Sequence, residues 1–224
     1  MKGSVVLTGT QRTNLRMAEP IRAAGYDVLE WSALRLVPTG LSRTALDDVL
    51  GANRPLVVVS PGVVDVLQKG WPGWTQSPRG GPILSMGPGT TEALAAVGIR
   101  VEAEALPPRA EGMIALIVSR YSERPVIGVL CGDRTRPELG RKLRAEGFHV
   151  EFSEVYRNQA PESLTHDRRP LVAVVYGSPT SARRILSANP WLREVPAIAI
   201  GPTTAHWLEE HEEHARIYRC SSPS

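Results

Sequence analysis

Cysteine is scarce in this sequence: only Cys131 and Cys220 occur among 224 residues. Two cysteines cannot staple a disulfide scaffold or build a zinc cluster. Neither has a CxxC partner or a nearby histidine that would mark a nucleophile. Aromatic residues make up 5% of the chain, so Val, Ile, Leu and Ala must fill its cores. No apolar run approaches the ~20 residues that a membrane-spanning helix needs. The opening stretch Met1 to Thr8 has too short an apolar run for a signal peptide and reads as a first strand. A charge excess is missing as well. The 26 Lys and Arg stand against 23 Asp and Glu, leaving +3, too little and too evenly spread for a nucleic-acid surface. Arg134, Arg136, Arg141, Lys142 and Arg144 do cluster, but acids interleave them and the group reads as a solvated helix face. Arg168 and Arg169 form a second, smaller group. Neither GxxxxGKS/T nor GxGxxG occurs, which removes support for nucleotide chemistry. These absences leave a globular protein whose expected compartment is the cytosol.

What is present is alternation. With 42% hydrophobic residues, the length allows one large or two small domains. Short β-branched runs alternate with longer amphipathic stretches, the pattern of a parallel α/β sheet. Strands are expected at Ser4 to Thr8, Leu56 to Ser60, Ile83 to Met86, Val126 to Leu130, Leu171 to Tyr176 and Ala197 to Ile200. Several are apolar on both faces, as strands covered by helices on both sides should be. Helices are expected near 14–24, 62–69, 90–97, 110–121, 137–146, 180–188 and 203–213. Gly25, Gly98 and Gly147 each stand where a helix would end in a left-handed residue.

The chain also repeats itself. Leu7-Thr8-Gly9 through Gly25-Tyr26-Asp27-Val28 matches Leu130-Cys131-Gly132 through Gly147-Phe148-His149-Val150. Leu56 to Pro61 matches Val174 to Pro179, and Met86-Gly87-Pro88-Gly89-Thr90-Thr91 matches Ile200-Gly201-Pro202-Thr203-Thr204-Ala205. The three units recur in one order, offset by 122, 118 and 114 residues at Gly25/Gly147, Ser60/Ser178 and Gly87/Gly201. A tandem duplication produces this pattern. The first copy continues through Pro107-Pro108-Arg109 into a helix, whereas the second reaches Ser221 to Ser224 and stops, so the second copy is expected to be one helix short.

Spread over nearly the whole chain, these residues resemble the uroporphyrinogen-III synthase family. The carriers are Leu7-Thr8, Gly25-Tyr26-Asp27-Val28, Ser60-Pro61, Gly87-Pro88-Gly89-Thr90, Cys131-Gly132-Asp133, Val155-Tyr156-Arg157, Ser178-Pro179 and Gly201-Pro202-Thr203-Thr204. The resemblance implies two flavodoxin-like parallel-sheet α/β domains joined by a two-stranded linker. One is a discontinuous domain of residues 1–37 and 158–224, and the other is an insert of residues 41–154, with linkers near 38–40 and 155–157. Periodicity alone fits a simple split near residue 123 equally well. The chain departs from the family at Gly9 and Gly177, where Arg and Thr or Ser are common.

In an open parallel sheet, ligands bind at the carboxyl ends of the strands, where loops enter the following helices. Ser60, Thr90, Ser178 and Thr204 fall at such places, with Gly87, Gly201 and Thr203 beside them. There a hydroxyl can cap the helix or, with free amides and the helix dipole, hold an anion. The resemblance makes these residues carboxylate cradles in a cleft, suited to the acetate and propionate arms of hydroxymethylbilane. It also makes Tyr156 catalytic, as a phenol bonded to the departing hydroxyl; without it, Tyr156 reads as an amphipathic linker residue. The implied enzyme is a cofactor-independent cyclising lyase, a monomer whose partner is a small-molecule substrate, with no metal, nucleic acid or membrane. Other readings stay open: a same-fold enzyme for another small anionic or heterocyclic substrate, or a non-catalytic two-domain ligand-binding module. His206, His211 and His214 with Glu209, Glu210, Glu212 and Glu213 read as a solvated helix face rather than a metal patch. Gly132-Asp133-Arg134 could bind an anion. Trp71 and Trp74 either pack a loop or narrow the cleft.

Overall fold

Short apolar runs and the amphipathic stretches between them build two separate sheets. The computed structural model describes residues 2–133, 138–211, 214 and 216–220. It divides into two units, Met1–Arg35 with Gln159–Ser224, and Leu36–Asn158. In chain order the elements begin with β1 (Ser4–Leu7), α1 (Gln11–Ala23) and β2 (Asp27–Glu30). Next come β3 (Arg35–Pro38), α2 (Arg43–Gly51), β4 (Leu56–Val58), α3 (Pro61–Gly70), β5 (Ile83–Ser85) and α4 (Pro88–Ala95). Then follow β6 (Ala103–Glu104), α5 (Ala110–Arg120), β7 (Ile127–Gly132), α6 (Glu138–Ala145) and β8 (Val150–Gln159). The last are β9 (Ala173–Tyr176), α7 (Pro179–Ala188), β10 (Ala197–Ala199), α8 (Pro202–Glu210) and β11 (Ile217–Arg219).

The first unit holds the sheet β2-β1-β9-β10-β11, and the second holds β3-β8-β7-β4-β5-β6. Neighbouring strands from β2 to β11, and from β8 to β6, run parallel. The repeated sequence units therefore occupy the same positions in each sheet. Leu7 ends β1, with Thr8 just beyond it, and Leu130-Cys131 lies near the end of β7. Ser178 follows β9 as Ser60 follows β4, and Gly201 follows β10 as Gly87 follows β5. Each unit draws its first strand and helix from one copy of the repeat and its later strands from the other.

Both faces of the second sheet are covered. On one, Leu46 and Leu50 of α2, Val63, Val64 and Leu67 of α3, and Leu94 of α4 pack with Trp71 and Trp74. On the other lie Met113 and Ile117 of α5 with Leu139 and Leu143 of α6. In the first unit, α7 and α8 supply Ala182, Ile185, Leu186, Ala205 and Leu208 to one face. The opposite core is small: Val5, Leu7, Ala18 and Val175, with Met17 and Ile21 of α1 beside them. Helix ends repeat as the sheets do. Gly25 and Gly147 have φ of 87° and 86°. The next residues send their amides back five positions, Tyr26 to the Ile21 carbonyl and Phe148 to the Leu143 carbonyl, which closes each helix.

Several elements depart from the sequence-based expectation. Helix α2 was not anticipated; its signal is the Ser42 cap, which accepts from the Ala45 amide. β7 runs two residues further than expected, to Gly132. Trp71 and Trp74 are buried core residues: their indole N–H groups donate to the Leu41 carbonyl and to Gln68 Oε1. No described helix is long and apolar enough to cross a membrane.

Candidate functional site

At the carboxyl end of the second sheet, Tyr156 of β8 reaches the start of α3. Its hydroxyl lies 3.3 Å from Ser60 Oγ. Ser60 occupies the cap position of α3 but makes no side-chain cap bond there, which leaves its hydroxyl to the phenol. A Cβ built on Gly62, in the first turn of α3, would lie 3.6 Å from the phenol oxygen. The hydroxyl pair therefore sits against the positive end of the helix dipole. Burial raises the Tyr156 pKa above the ordinary phenol value. The Ser60 hydrogen bond opposes that rise, and the nearby Asp133 carboxylate adds to it. The group stays protonated at neutral pH and serves as a hydrogen-bond donor.

Regular alternation along β8 would turn Tyr156 away from the face that Val155 occupies. An irregularity prevents this. Cys131 of β7 pairs with Glu154, but the next residue, Gly132, pairs with Tyr156, so Val155 is an extra residue. Val155 is buried in the α3-side core, and Tyr156 packs against that same core. Two further bonds fix the offset: the Asp133 amide donates to the Tyr156 carbonyl, and the Asn158 amide donates to Asp133 Oδ1, each at 3.0 Å.

The other sequence candidates fall in distinct environments. Ser178 is a true cap: its hydroxyl accepts from the Ser181 amide at 3.2 Å, within a reciprocal capping box. Thr90 and Thr204 hold matching places in α4 and α8 and are buried, at 3% and 2% exposure. Gly87 is closed off, since a Cβ there would stand 2.6 Å from Pro108 Cβ. Beside it, the Thr91 hydroxyl donates to the Glu104 carboxylate and lies 2.6 Å from Ser85 Oγ. A carboxylate already holds that helix entrance. Gly201 is its opposite: a Cβ there would meet nothing within 4 Å, and Thr203 is exposed.

The histidines do not share a helix face, because α8 ends at Glu210. His206 pairs with Glu210, and His211 stacks on Trp207 with Nδ1 2.8 Å from its carbonyl. His214 lies in the first unit's interior, with Nδ1 2.7 Å from the Val195 carbonyl and Nε2 3.2 Å from the Tyr176 hydroxyl. Among the described residues no three His, Cys, Asp or Glu side chains group as a metal site. Glu212, Glu213, Arg134, Arg136 and Ser221 to Ser224 lie outside the described residues. Sequence reasoning missed Gly132 as the surface under the Tyr156 ring. Its signals were its place in the repeat opposite Gly9 and in Cys131-Gly132-Asp133, neither of which points to an aromatic ring.

Two solved structures share the fold. Uroporphyrinogen-III synthetase from Helicobacter pylori superposes with a TM-score of 0.64 at 19% identity, covering 99% of this chain and 93% of that one. A mutant uroporphyrinogen III synthase from Thermus thermophilus gives 0.62 at 16%, covering 97% and 93%. No curated protein matches by sequence. The sequence model of the family described as uroporphyrinogen-III synthase HemD matches residues 16–217. The match spans both sheets and includes Ser60, Gly132 and Tyr156, and the chain belongs to the uroporphyrinogen-III synthase family.

Proposed function

We propose that this protein cyclises hydroxymethylbilane to uroporphyrinogen III, with Tyr156 as the hydrogen-bond donor to the departing hydroxyl. The observation that carries this reading is the Tyr156 hydroxyl, kept protonated by burial and held 3.3 Å from Ser60 Oγ at the start of α3. A pyrrole nitrogen lone pair expels the hydroxyl as Tyr156 passes its proton to it, so water leaves, and the phenolate is reprotonated by the proton the terminal pyrrole sheds on reclosure. The azafulvene cation that remains is attacked by the substituted carbon of the terminal pyrrole. The resulting spiro intermediate fragments and recloses with that ring inverted. No strong acid or base is needed. Most of the rate comes from holding the chain in the contour that brings the attacking carbon to the cation.

The substrate's carboxylate arms suit helix entrances. That at Gly201 and Thr203 is more open than the one at Gly87 and Thr90, where Pro108 and Glu104 stand. Buried Thr90 and Thr204 support these turns from within. We also infer that the two units are flavodoxin-like copies of one ancestor, for which the matched strand orders speak. On this reading β3 and β8 are the two-stranded linker, and the enzyme acts as a cytosolic monomer without cofactor or nucleic acid.

Freshly made hydroxymethylbilane, incubated with the protein and then oxidised and separated by isomer, tests the proposal. Type III product above the spontaneous background is expected. Type I alone, at the spontaneous rate, overturns it in favour of a same-fold enzyme for another substrate or a ligand-binding module.

A further inference from the structure

We propose that Gly132 is a positioning residue for the reaction. The extra residue in β8 turns Tyr156 onto Gly132, and the missing side chain there is the seat that holds the phenol at Ser60. This rests on the reading of Tyr156 given above. A Cβ on Gly132 would stand 2.2 Å from Tyr156 Cε2, 2.3 Å from Cζ and 2.8 Å from the hydroxyl oxygen. None of these approaches is tolerable. All three neighbours lie at the outer end of one side chain, so the ring gives way rather than the backbone.

The surroundings leave the ring little other room. Val155 fills the adjoining core, Leu36 Cδ1 stands 2.7 Å from a Cβ position on Gly62, and the Asp133 and Asn158 bonds fix the strand offset. A ring pushed off Gly132 therefore loses Ser60. The equivalent glycine of the other unit has a different occupant. Gly9 donates its amide to Asn14 Oδ1 at 2.9 Å, and a Cβ there would stand 3.0 Å from that same atom. The repeat supplies a glycine at the end of both strands, and in only one of them does a phenol use the space.

The experiment compares Gly132→Ala, Tyr156→Phe and the double variant in the type III assay. Gly40→Ala serves as control, since a Cβ there meets nothing within 4 Å. Gly132→Ala is expected to lower kcat at least tenfold with KM within twofold, while the double variant falls no further than Tyr156→Phe. The Tyr156 ring resonances, assigned with labelled tyrosine, should move in Gly132→Ala, and its phenol should titrate closer to the ordinary value. Near-normal turnover with Gly132→Ala, or losses that multiply in the double variant, would overturn the proposal. Should Gly132→Ala also lower the melting temperature, that drop must vanish in a Tyr156→Ala background, and a drop that persists overturns it too. Full activity of Tyr156→Phe defeats the catalytic reading instead, and the resonance shift still decides whether Gly132 seats the ring.

Discussion

Ser60 and Ser178 stand at the same place in two matching sheets and do different work. Each follows a central strand, precedes a proline and opens a helix with extended backbone, at ψ of 157° in both. Ser178 spends its hydroxyl on its own helix, bonding the Ser181 amide. Ser60 leaves its helix uncapped by a side chain and faces Tyr156. The difference lies two strands away, across β7. β8 carries an extra residue that brings a phenol to Ser60, whereas Ser181 supplies a local partner to Ser178. One of the two matching serines is thereby a stability device and the other a piece of candidate chemistry.

Removing the phenol should break this contrast most severely. Tyr156→Phe is expected to slow type III formation by about 100-fold, within the range for loss of a positioned proton donor, with little change in melting temperature. In the wild type the alkaline limb of kcat should lie above the ordinary tyrosine value of about 10. The donor is the protonated phenol, and its raised pKa postpones the loss as pH rises. A limb that survives unchanged in Tyr156→Phe would assign it to another group.

Exchanging the serines one at a time sharpens the comparison. Ser60→Ala removes one partner of the phenol and should cost roughly tenfold in turnover, the weight of about one net hydrogen bond, while chemical denaturation shows little loss of stability. Ser178→Ala should do the reverse in unfolding: about 1 kcal/mol of stability lost, as for other helix caps. Equal stability losses in the two variants would show that Ser60 caps its helix after all.

The smallest effect belongs to the first unit. His166 stacks on Trp31 with ring centroids 3.9 Å apart, and its amide donates to Asn189 Oδ1. Burial lowers its pKa, Arg169 adds to that, and Asp167 opposes it. Between that lowered value and the ordinary 6.5 or so, the unfolded chain binds a proton that the folded one does not. The stabilisation is complete above about pH 6.5 and is lost as pH falls through the folded value. A melting shift of no more than about 2 °C is expected across that window. His166→Phe should flatten it, and an equal pH response in that variant would remove His166 as the cause.

Much of this architecture is legible along the chain. Leu56-Val57-Val58 and Ala173-Val174-Val175 are apolar at every position because helices cover both faces of the sheet. Gly25 and Gly147 announce helix ends because few other residues accept a positive φ. The repeated Ser-Pro and Gly-Pro pairs mark helix starts because proline suits the first turn. Other features were hidden. α2 shows little beyond its cap, and its apolar positions declare themselves as core only against Trp71 and Trp74. The candidate site was harder still, since Ser60 and Ser178 look alike in sequence.

Composition, alternation and the three recurring units were enough to fix a parallel α/β plan, because burial periodicity and helix-end chemistry are local properties of the chain. Tertiary contact decided which serine caps its helix, which glycine lies beneath an aromatic ring, and which of Val155 and Tyr156 is the extra residue. Those outcomes depend on strand register and on side chains 24 or 96 positions apart, as Gly132 and Ser60 are from Tyr156. No local pattern records a register, because a single extra residue reverses the direction of every side chain beyond it.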